Sequence, residues 1–124
     1  MRRSASARSL AVFLLVLGAC GAAQATDATR GKELYESRCA GCHSLDQDRI
    51  GPRHRGLIGR KAGAVSGFEY SPALRASRIV WSPRTLDAWL TNPERLVPGQ
   101  RMNYSVADAA DRAALIAYLD AIGP

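Results

Sequence analysis

The sequence contains few side chains that can bind a metal ion. Its 124 residues include three cysteines, two histidines and two methionines, one of which is the initiator. After residue 25 the candidate nitrogen and thiolate ligands are Cys39, Cys42, His43 and His54. A zinc site of the Cys₂His₂ type would have to close over this very short span, so structural zinc is an unfavourable interpretation.

Runs of alternating apolar and polar residues, which indicate strands, are also missing. Amphipathic segments predict helices instead: one over residues 29–43, a short one between Ser82 and Asn92, and a last one capped by Asp108. The buried stripe of the last helix is expected to consist of Leu115, Ile116, Leu119 and Ile122. Residues 50–71 are rich in glycine and predict a long loop. The fold class is therefore predicted to be all-α.

The one long apolar run, residues 10–19, lies at the N-terminus behind three arginines and is too short to span a bilayer comfortably. It precedes an A-x-A pattern at residues 23–25, so we interpret residues 1–25 as a signal peptide. Export to the periplasm would leave residues 26–124 as one compact domain. The stretch ending at Cys20 also resembles a lipobox, so the alternative is a lipid anchor at Cys20, which would be the only attachment of the chain to a membrane.

Excess positive charge largely disappears once the leader is set aside. The net charge of +6 falls to +3 in residues 26–124, because three of the basic residues and none of the acidic ones lie in residues 1–25. The remaining basic cluster lacks interleaved aromatic residues and consists of Arg49, Arg53, Arg55, Arg60 and Lys61. Such a cluster is typical of a solvated surface, and nucleic acid is not expected as a partner.

The chemistry of the chain is concentrated in residues 38–45, which read RCAGCHSL. A thioredoxin-like dithiol would need a βαβ context, which the pattern does not offer. The remaining interpretation is C-x-x-C-H, a covalent attachment site for a c-type haem. At a helix end Cys39 and Cys42 are neighbours at i and i+3, so their sulfurs can reach two vinyl groups of one porphyrin while His43 turns to the iron.

A sixth iron ligand would separate an electron carrier from an enzyme with an open site. Met102, in the stretch LVPGQRMNY, follows a Pro-Gly turn that can fold back over the opposite haem face. A single methionine is more often a packing residue than a ligand. His54 is the rival, but it follows His43 by 11 residues, which favours a surface loop residue on the proximal side. The residues alone leave the sixth ligand open.

The sequence resembles class I cytochrome c of the mitochondrial and bacterial c2 type over nearly all of residues 26–124. Gly31 and Tyr35 match the family's first helix, and residues 115–119, LIAYL, match the helix that it crosses. Three further matches are Gly51-Pro52, the stretches GLIGRKAG and GFEYS at residues 56–63 and 67–71, and NPERLVPGQRM at residues 92–102. The resemblance implies the cytochrome c fold, with helices wrapped around one haem.

Several site residues follow from this resemblance. It implies one haem c attached through Cys39 and Cys42, with His43 and Met102 as iron ligands. The Pro52 carbonyl would accept the His43 N–H and strengthen its donation to iron. The residues expected to bury and hydrogen-bond a haem propionate are Arg60, Tyr70 and Trp81.

The resemblance also implies a function, namely a monomeric one-electron carrier and not an enzyme. Arg38 and Arg101 would surround the exposed haem edge and bind acidic surfaces of redox partners, such as a quinol-oxidising complex and a terminal oxidase or reductase, although Glu94 interrupts this basic ring. The alternative is a dedicated cytochrome subunit of a periplasmic dehydrogenase.

Three positions depart from the mitochondrial pattern near the methionine. Leu74 stands where those proteins have asparagine, and Trp89 stands where they have a tyrosine near the methionine sulfur. Gln100 replaces a threonine in the same region. These departures leave open how the residues behind Met102 are connected.

Overall fold

The computed structural model describes residues 19–124, with side chains from residue 27 onward. The helices of this part are α1 (Ala19–Arg38), α2 (Pro72–Ala76), α3 (Pro83–Thr91), α4 (Pro93–Leu96) and α5 (Ala109–Ile122). Extended pairing within it is limited to one isolated antiparallel bridge between Lys61 and Val80. The predicted all-α class is thus confirmed. Residues 1–18 and the side chain of Cys20 lie outside the described part, and with them the signal-peptide and lipobox predictions.

Helices α3 and α5 begin at the residues that the sequence predicts. The Ser82 hydroxyl accepts the Thr85 N–H at 3.2 Å, and the Thr85 hydroxyl oxygen accepts the Ser82 N–H at 2.8 Å, which forms a capping box. Asp108 caps α5 by accepting the Asp111 N–H at 2.8 Å. These caps satisfy backbone groups that the first helical turn leaves unpaired.

The short helices α2 and α4 were not predicted. Ser71 caps α2 and accepts the Leu74 N–H at 3.1 Å, and Asn92 caps α4 and accepts the Arg95 N–H at 2.9 Å. Each begins with a proline, a residue suited to the first helical position. With five and four residues, they are too short to show an apolar period, so their signal lies in the caps alone.

The crossing of α1 and α5 requires a glycine at its centre. A Cβ atom added to Gly31 would lie 1.9 Å from the carbonyl oxygen of Ala114 and 2.8 Å from the Cβ of Tyr118. Next to this contact, the rings of Tyr35 and Tyr118 pack with their centroids 5.4 Å apart. The backbones of the two helices can therefore approach closely only because position 31 has no side chain.

Replacing Gly31 with alanine should lower the free energy of unfolding of the holoprotein by about 3 kcal/mol, the upper range for overpacking a close contact. The matched control is Gly41→Ala, because an added Cβ at Gly41 meets no atom within 4 Å. Denaturant unfolding of both variants measures the difference. Equal stabilities would show that the two helices do not meet at Gly31.

The core lies between α1, α3 and α5 and the loop that precedes α2. Its buried apolar residues include Tyr35, Leu57, Trp81, Leu86, Trp89, Leu90, Leu115, Ile116 and Leu119. Ile122, predicted as part of the α5 stripe, is only partly buried. Among the helices of residues 19–124, none has both the length and the apolar character needed to cross a membrane.

One buried carboxylate ties α5 to α1. Asp111, with a side chain that is 10% exposed, forms ion pairs with Arg30 and, at 3.1 Å, with Arg38. Asp111 lies three residues after the Asp108 cap, so the sequence alone indicates only a first-turn position, and its two partners lie more than 70 positions away in the chain. Arg38 immediately precedes Cys39, so this contact also anchors the start of the C-x-x-C-H segment.

Candidate haem site

A predominantly apolar cavity of ≈ 460 Å³ opens between α3, α5 and the loops. All eight predicted site residues line it: Cys39, Cys42, His43, Pro52, Arg60, Tyr70, Trp81 and Met102. Apolar side chains of α2, α3 and α5 complete its walls, among them Leu74, Leu86, Leu90 and Leu119. The structure therefore brings together residues that lie as far as 63 positions apart in the sequence.

The two cysteines lie on a tight turn that continues from α1. The helix ends at Arg38, five residues before the predicted end, but the chain keeps helix-like bonds. The Cys42 N–H and the His43 N–H both donate to the Cys39 carbonyl, at 3.1 and 2.9 Å. Both thiols are free of disulfides, and burial raises the pKa of the Cys39 thiol to about 11. Both sulfurs and the adjacent imidazole line the same cavity.

A hydrogen bond fixes the orientation of His43. Its Nδ1 lies 2.8 Å from the Pro52 carbonyl oxygen, and since a carbonyl can only accept, Nδ1 must carry the proton. Nε2 is then the nitrogen with a free lone pair. Burial lowers the pKa of His43, which favours the neutral ring that can bind a metal. Gly51 permits this arrangement, because a Cβ there would lie 2.2 Å from the His43 ring.

His54 lies in a loop on the His43 side of the site, as predicted, but it lines the cavity and is not a solvated surface residue. Its ring stacks on His43 with the centroids 4.0 Å apart and the planes at 23°, and its Nδ1 lies 3.1 Å from the Tyr35 hydroxyl oxygen. The loop folds back because the His54 N–H donates to the Ser44 carbonyl at 3.0 Å and the Arg55 N–H donates to the Leu45 carbonyl at 2.8 Å. No local sequence pattern predicts this backbone pairing. Burial, with His43 and Arg60 nearby, lowers the pKa of His54 well below its ordinary value.

Arg60, Tyr70 and Trp81 form a more polar part of the lining. Arg60 and Trp81 are joined by their backbones, since the Trp81 N–H donates to the Arg60 carbonyl at 2.9 Å. The Arg60 guanidinium donates to the carbonyl oxygen of Arg53 at 2.7 Å, and the Tyr70 hydroxyl accepts the Val65 N–H at 3.2 Å. This part of the cavity offers a cation, a hydroxyl and an indole to an anionic group.

The three departures near Met102 divide into two kinds. Leu74 and Trp89 line the cavity and present mainly apolar surface, and Trp89 packs edge-on against Trp81 with ring centroids 5.5 Å apart. Gln100 is not part of that lining and is 6% exposed. Its side chain hydrogen-bonds to residues of its own segment, Glu94 and the cavity-lining Asn103.

The basic residues at the cavity and in the loop differ in whether they form ion pairs. Arg38 and Arg101 both line the cavity mouth, but Arg38 is paired with Asp111, whereas Arg101 is exposed and has no ion pair among residues 27–124. In the basic cluster of the loop, Arg53 pairs with Asp48 at 3.1 Å, and Arg55 pairs with a second aspartate nearby. Arg53 and Arg55 are thus partly neutralised, whereas Arg60 of the same cluster lines the cavity and is not part of a solvated surface. Arg101 is the freer of the two docking candidates.

A sequence profile of the cytochrome c family matches residues 28–122. The chain belongs to the cytochrome c family. Cytochrome c 2.1 of Caenorhabditis elegans is 41% identical over 99 residues, which are 77% of this chain and 89% of that protein. The cytochrome c-type cyt cy of Rhodobacter capsulatus is 40% identical over 98 residues, and the match covers 77% of this chain and 49% of that protein.

The fold of a solved cytochrome agrees with this assignment. Cytochrome cH from Methylobacterium extorquens superposes with a TM-score of 0.73 at 33% identity, and the match covers 77% of this chain and 98% of that one. The predicted family and cytochrome c fold are confirmed. Members of the family are electron-transfer proteins rather than enzymes, and they bind haem c covalently through a cysteine pair, which is Cys39 and Cys42 here.

The residues at the cavity fit a haem. A flat macrocycle with an apolar face needs an apolar slot, two thiols at one edge and a neutral imidazole beside them. The cavity has these features, and its more polar side carries Arg60 and Tyr70. The glycine at position 51 leaves room for the His43 ring at the place where any side chain would collide with it.

Proposed function

We propose that this protein is a periplasmic one-electron carrier in which His43 and Met102 are the axial ligands of the haem iron. The observation that carries the proposal is the joint position of Cys39, Cys42, His43 and Met102 on one apolar cavity. Bound haem supplies one-electron cycling between Fe(III) and Fe(II). With both axial positions taken by side chains, the site would have no place for substrate.

The surrounding residues set the properties of the site. The Pro52 carbonyl, by accepting the His43 N–H at 2.8 Å, makes the ring a stronger donor through Nε2. The soft sulfur of Met102 and the apolar walls favour the reduced state and raise the potential. Arg60, Tyr70 and Trp81 would hold a propionate at the more polar side, which keeps this charge out of the apolar slot.

The compartment and the domain bounds are part of the same proposal. Residues 1–25 carry the pattern of a signal peptide, so the functional chain would be residues 26–124, a monomer released into the periplasm. Acylation at Cys20 would instead tether the same domain to a membrane. The N-terminal residue of protein isolated from a periplasmic fraction separates the two, since cleavage after Ala25 leaves Thr26 and lipoprotein processing leaves an acylated Cys20.

A carrier and a dedicated subunit differ in their association with other proteins. A carrier should elute as a monomer at high salt after cell disruption and should titrate as a single one-electron centre. Elution in a stable complex with a dehydrogenase at high salt would instead assign the chain as a dedicated subunit of that enzyme. Redox partners would dock at the cavity mouth through acidic surfaces that face Arg38 and Arg101.

Replacing Arg101 with glutamine should slow electron transfer with an acidic partner about 3- to 10-fold at low ionic strength, since rates that depend on electrostatic steering respond to local charge. The control is Arg84→Gln, which removes the same charge from an exposed residue of α3 that does not line the cavity. Removing Arg38 as well should abolish most of the remaining salt dependence. Equal effects of the Arg84 and Arg101 changes would place the docking surface elsewhere.

A further inference from the structure

The segment that carries Met102 is closed by hydrogen bonds among three polar side chains, Glu94, Gln100 and Asn103, which we term the methionine clip. The carboxylate of Glu94 accepts the Gly99 N–H at 2.9 Å and the side-chain amide of Gln100 at 3.1 Å. The Gln100 amide also donates to the Asn103 side-chain oxygen at 2.6 Å, and the Gln100 oxygen accepts the Asn103 N–H at 2.9 Å. Two of these four bonds connect α4 to residues 99 and 100, and the other two connect Gln100 to Asn103 across Met102.

The clip restrains a backbone that is unfavourable on its own. Asn103 has a φ of 49°, the one positive φ outside glycine among the described residues, and Gly99 has a φ of 90°. Left-handed backbone at a non-glycine residue is less stable than the ordinary helical region, although asparagine tolerates it best. Gln100 holds Asn103 in this conformation through two hydrogen bonds, one from the Asn103 N–H and one to the Asn103 side-chain oxygen.

The hydrogen bonds that restrain Met102 lie within the segment that carries it. Leu74 offers no hydrogen-bonding group, and the neighbouring cavity walls at Trp89 and Leu90 are buried and largely apolar. Of the clip residues, Gln100 is 6% exposed and lies outside the cavity lining, Asn103 is part of the lining, and Glu94 is solvent-exposed. The position of Met102 in the cavity therefore depends on polar contacts within its own segment.

On the premise that Met102 ligates the iron, we propose that the methionine clip positions the Met102 sulfur and holds it in place, so that external ligands cannot enter the sixth position. Glu94, Gln100 and Asn103 are positioning residues that act through the backbone on either side of Met102. The presence of an acidic residue at position 94 thus has a structural reason, because both oxygens of the Glu94 carboxylate accept hydrogen bonds from the segment.

The test is imidazole binding to the ferric holoprotein. Gln100→Leu keeps a similar side-chain volume and removes three of the four bonds, so imidazole should bind roughly 10- to 100-fold more tightly, given the usual net strength of a hydrogen bond and the conversion of free energy to affinity. Glu94→Ala should act in the same direction with a smaller effect and does not disturb a buried residue. Glu94→Gln should recover about half of the loss, because its amide oxygen can still accept the Gly99 N–H whereas its amide nitrogen cannot accept the Gln100 side-chain N–H.

Two controls separate the outcomes. Asp120→Asn removes one negative charge from an exposed position of α5 and should leave imidazole affinity unchanged. Thermal unfolding of every variant shows whether a change is global. If Gln100→Leu and Glu94→Ala lower stability but keep the affinity of the unaltered protein, the clip has no role in positioning and the proposal is overturned. If the unaltered protein itself lacks a methionine charge-transfer band, the axial-ligand assignment fails instead.

Discussion

Holoprotein in which Cys39 and Cys42 are both replaced by serine should lose all covalent haem. The two thiols lie on one turn, where the amides of residues 42 and 43 share the Cys39 carbonyl, and serine cannot form the thioether bonds. Each single replacement should leave at most one thioether. Haem-specific staining after denaturing electrophoresis measures the outcome, with covalent haem expected in the unaltered protein and none in the double variant.

The matched control for this experiment is Ser44→Ala, a small change in the residue that follows His43. It should keep both thioether bonds. Noncovalent haem in the unaltered protein, produced in a host that matures c-type cytochromes, would refute the assignment of the C-x-x-C-H segment as the attachment site.

Replacing Met102 with alanine should open the sixth position and remove the far-red charge-transfer band of the ferric protein. Loss of the thioether should also lower the reduction potential by roughly 0.2 V, a fraction of the ≈ 0.8 V range that axial ligands set. Met102 is the only methionine after residue 1, so no other methionine can replace it as a ligand. His54 stacks on His43, so it lies on the wrong side of the site to bind the opposite face.

Arg101→Gln is the control for this prediction, because it alters the neighbouring side chain and keeps the sulfur. Its ferric spectrum should retain the band. A potential that stays unchanged in Met102→Ala, with a low-spin ferric spectrum, would show that a different group is the sixth ligand and that the methionine segment only packs against the haem.

The parts of the fold that could be predicted are those whose stabilising contacts join residues close together in the sequence. Ser82 and Asp108 cap their helices through bonds to residues three positions on, so the signal is contained in a few consecutive letters. The C-x-x-C-H motif is similarly local, and resemblance to a family supplied the distant residues of the cavity. Helices as short as α4 have too few residues for an apolar period and were missed for that reason.

The contacts that could not be predicted join distant or irregular segments. Asp111 pairs with Arg30 across 81 positions, and nothing in the local sequence distinguishes it from an ordinary first-turn carboxylate. His54 reaches His43 only because residues 44–45 and 54–55 pair through their backbones. The methionine clip depends on the left-handed backbone at Asn103, which spacing alone does not specify.

The most direct test of the proposed carrier is the mass of the denatured protein combined with the absorption spectrum of its ferric form. One haem per chain should remain attached under denaturing conditions, and the native ferric protein at neutral pH should show a low-spin spectrum with the methionine charge-transfer band. A denatured mass without haem, or a native ferric spectrum with no such band, would contradict a covalent haem c held between His43 and Met102.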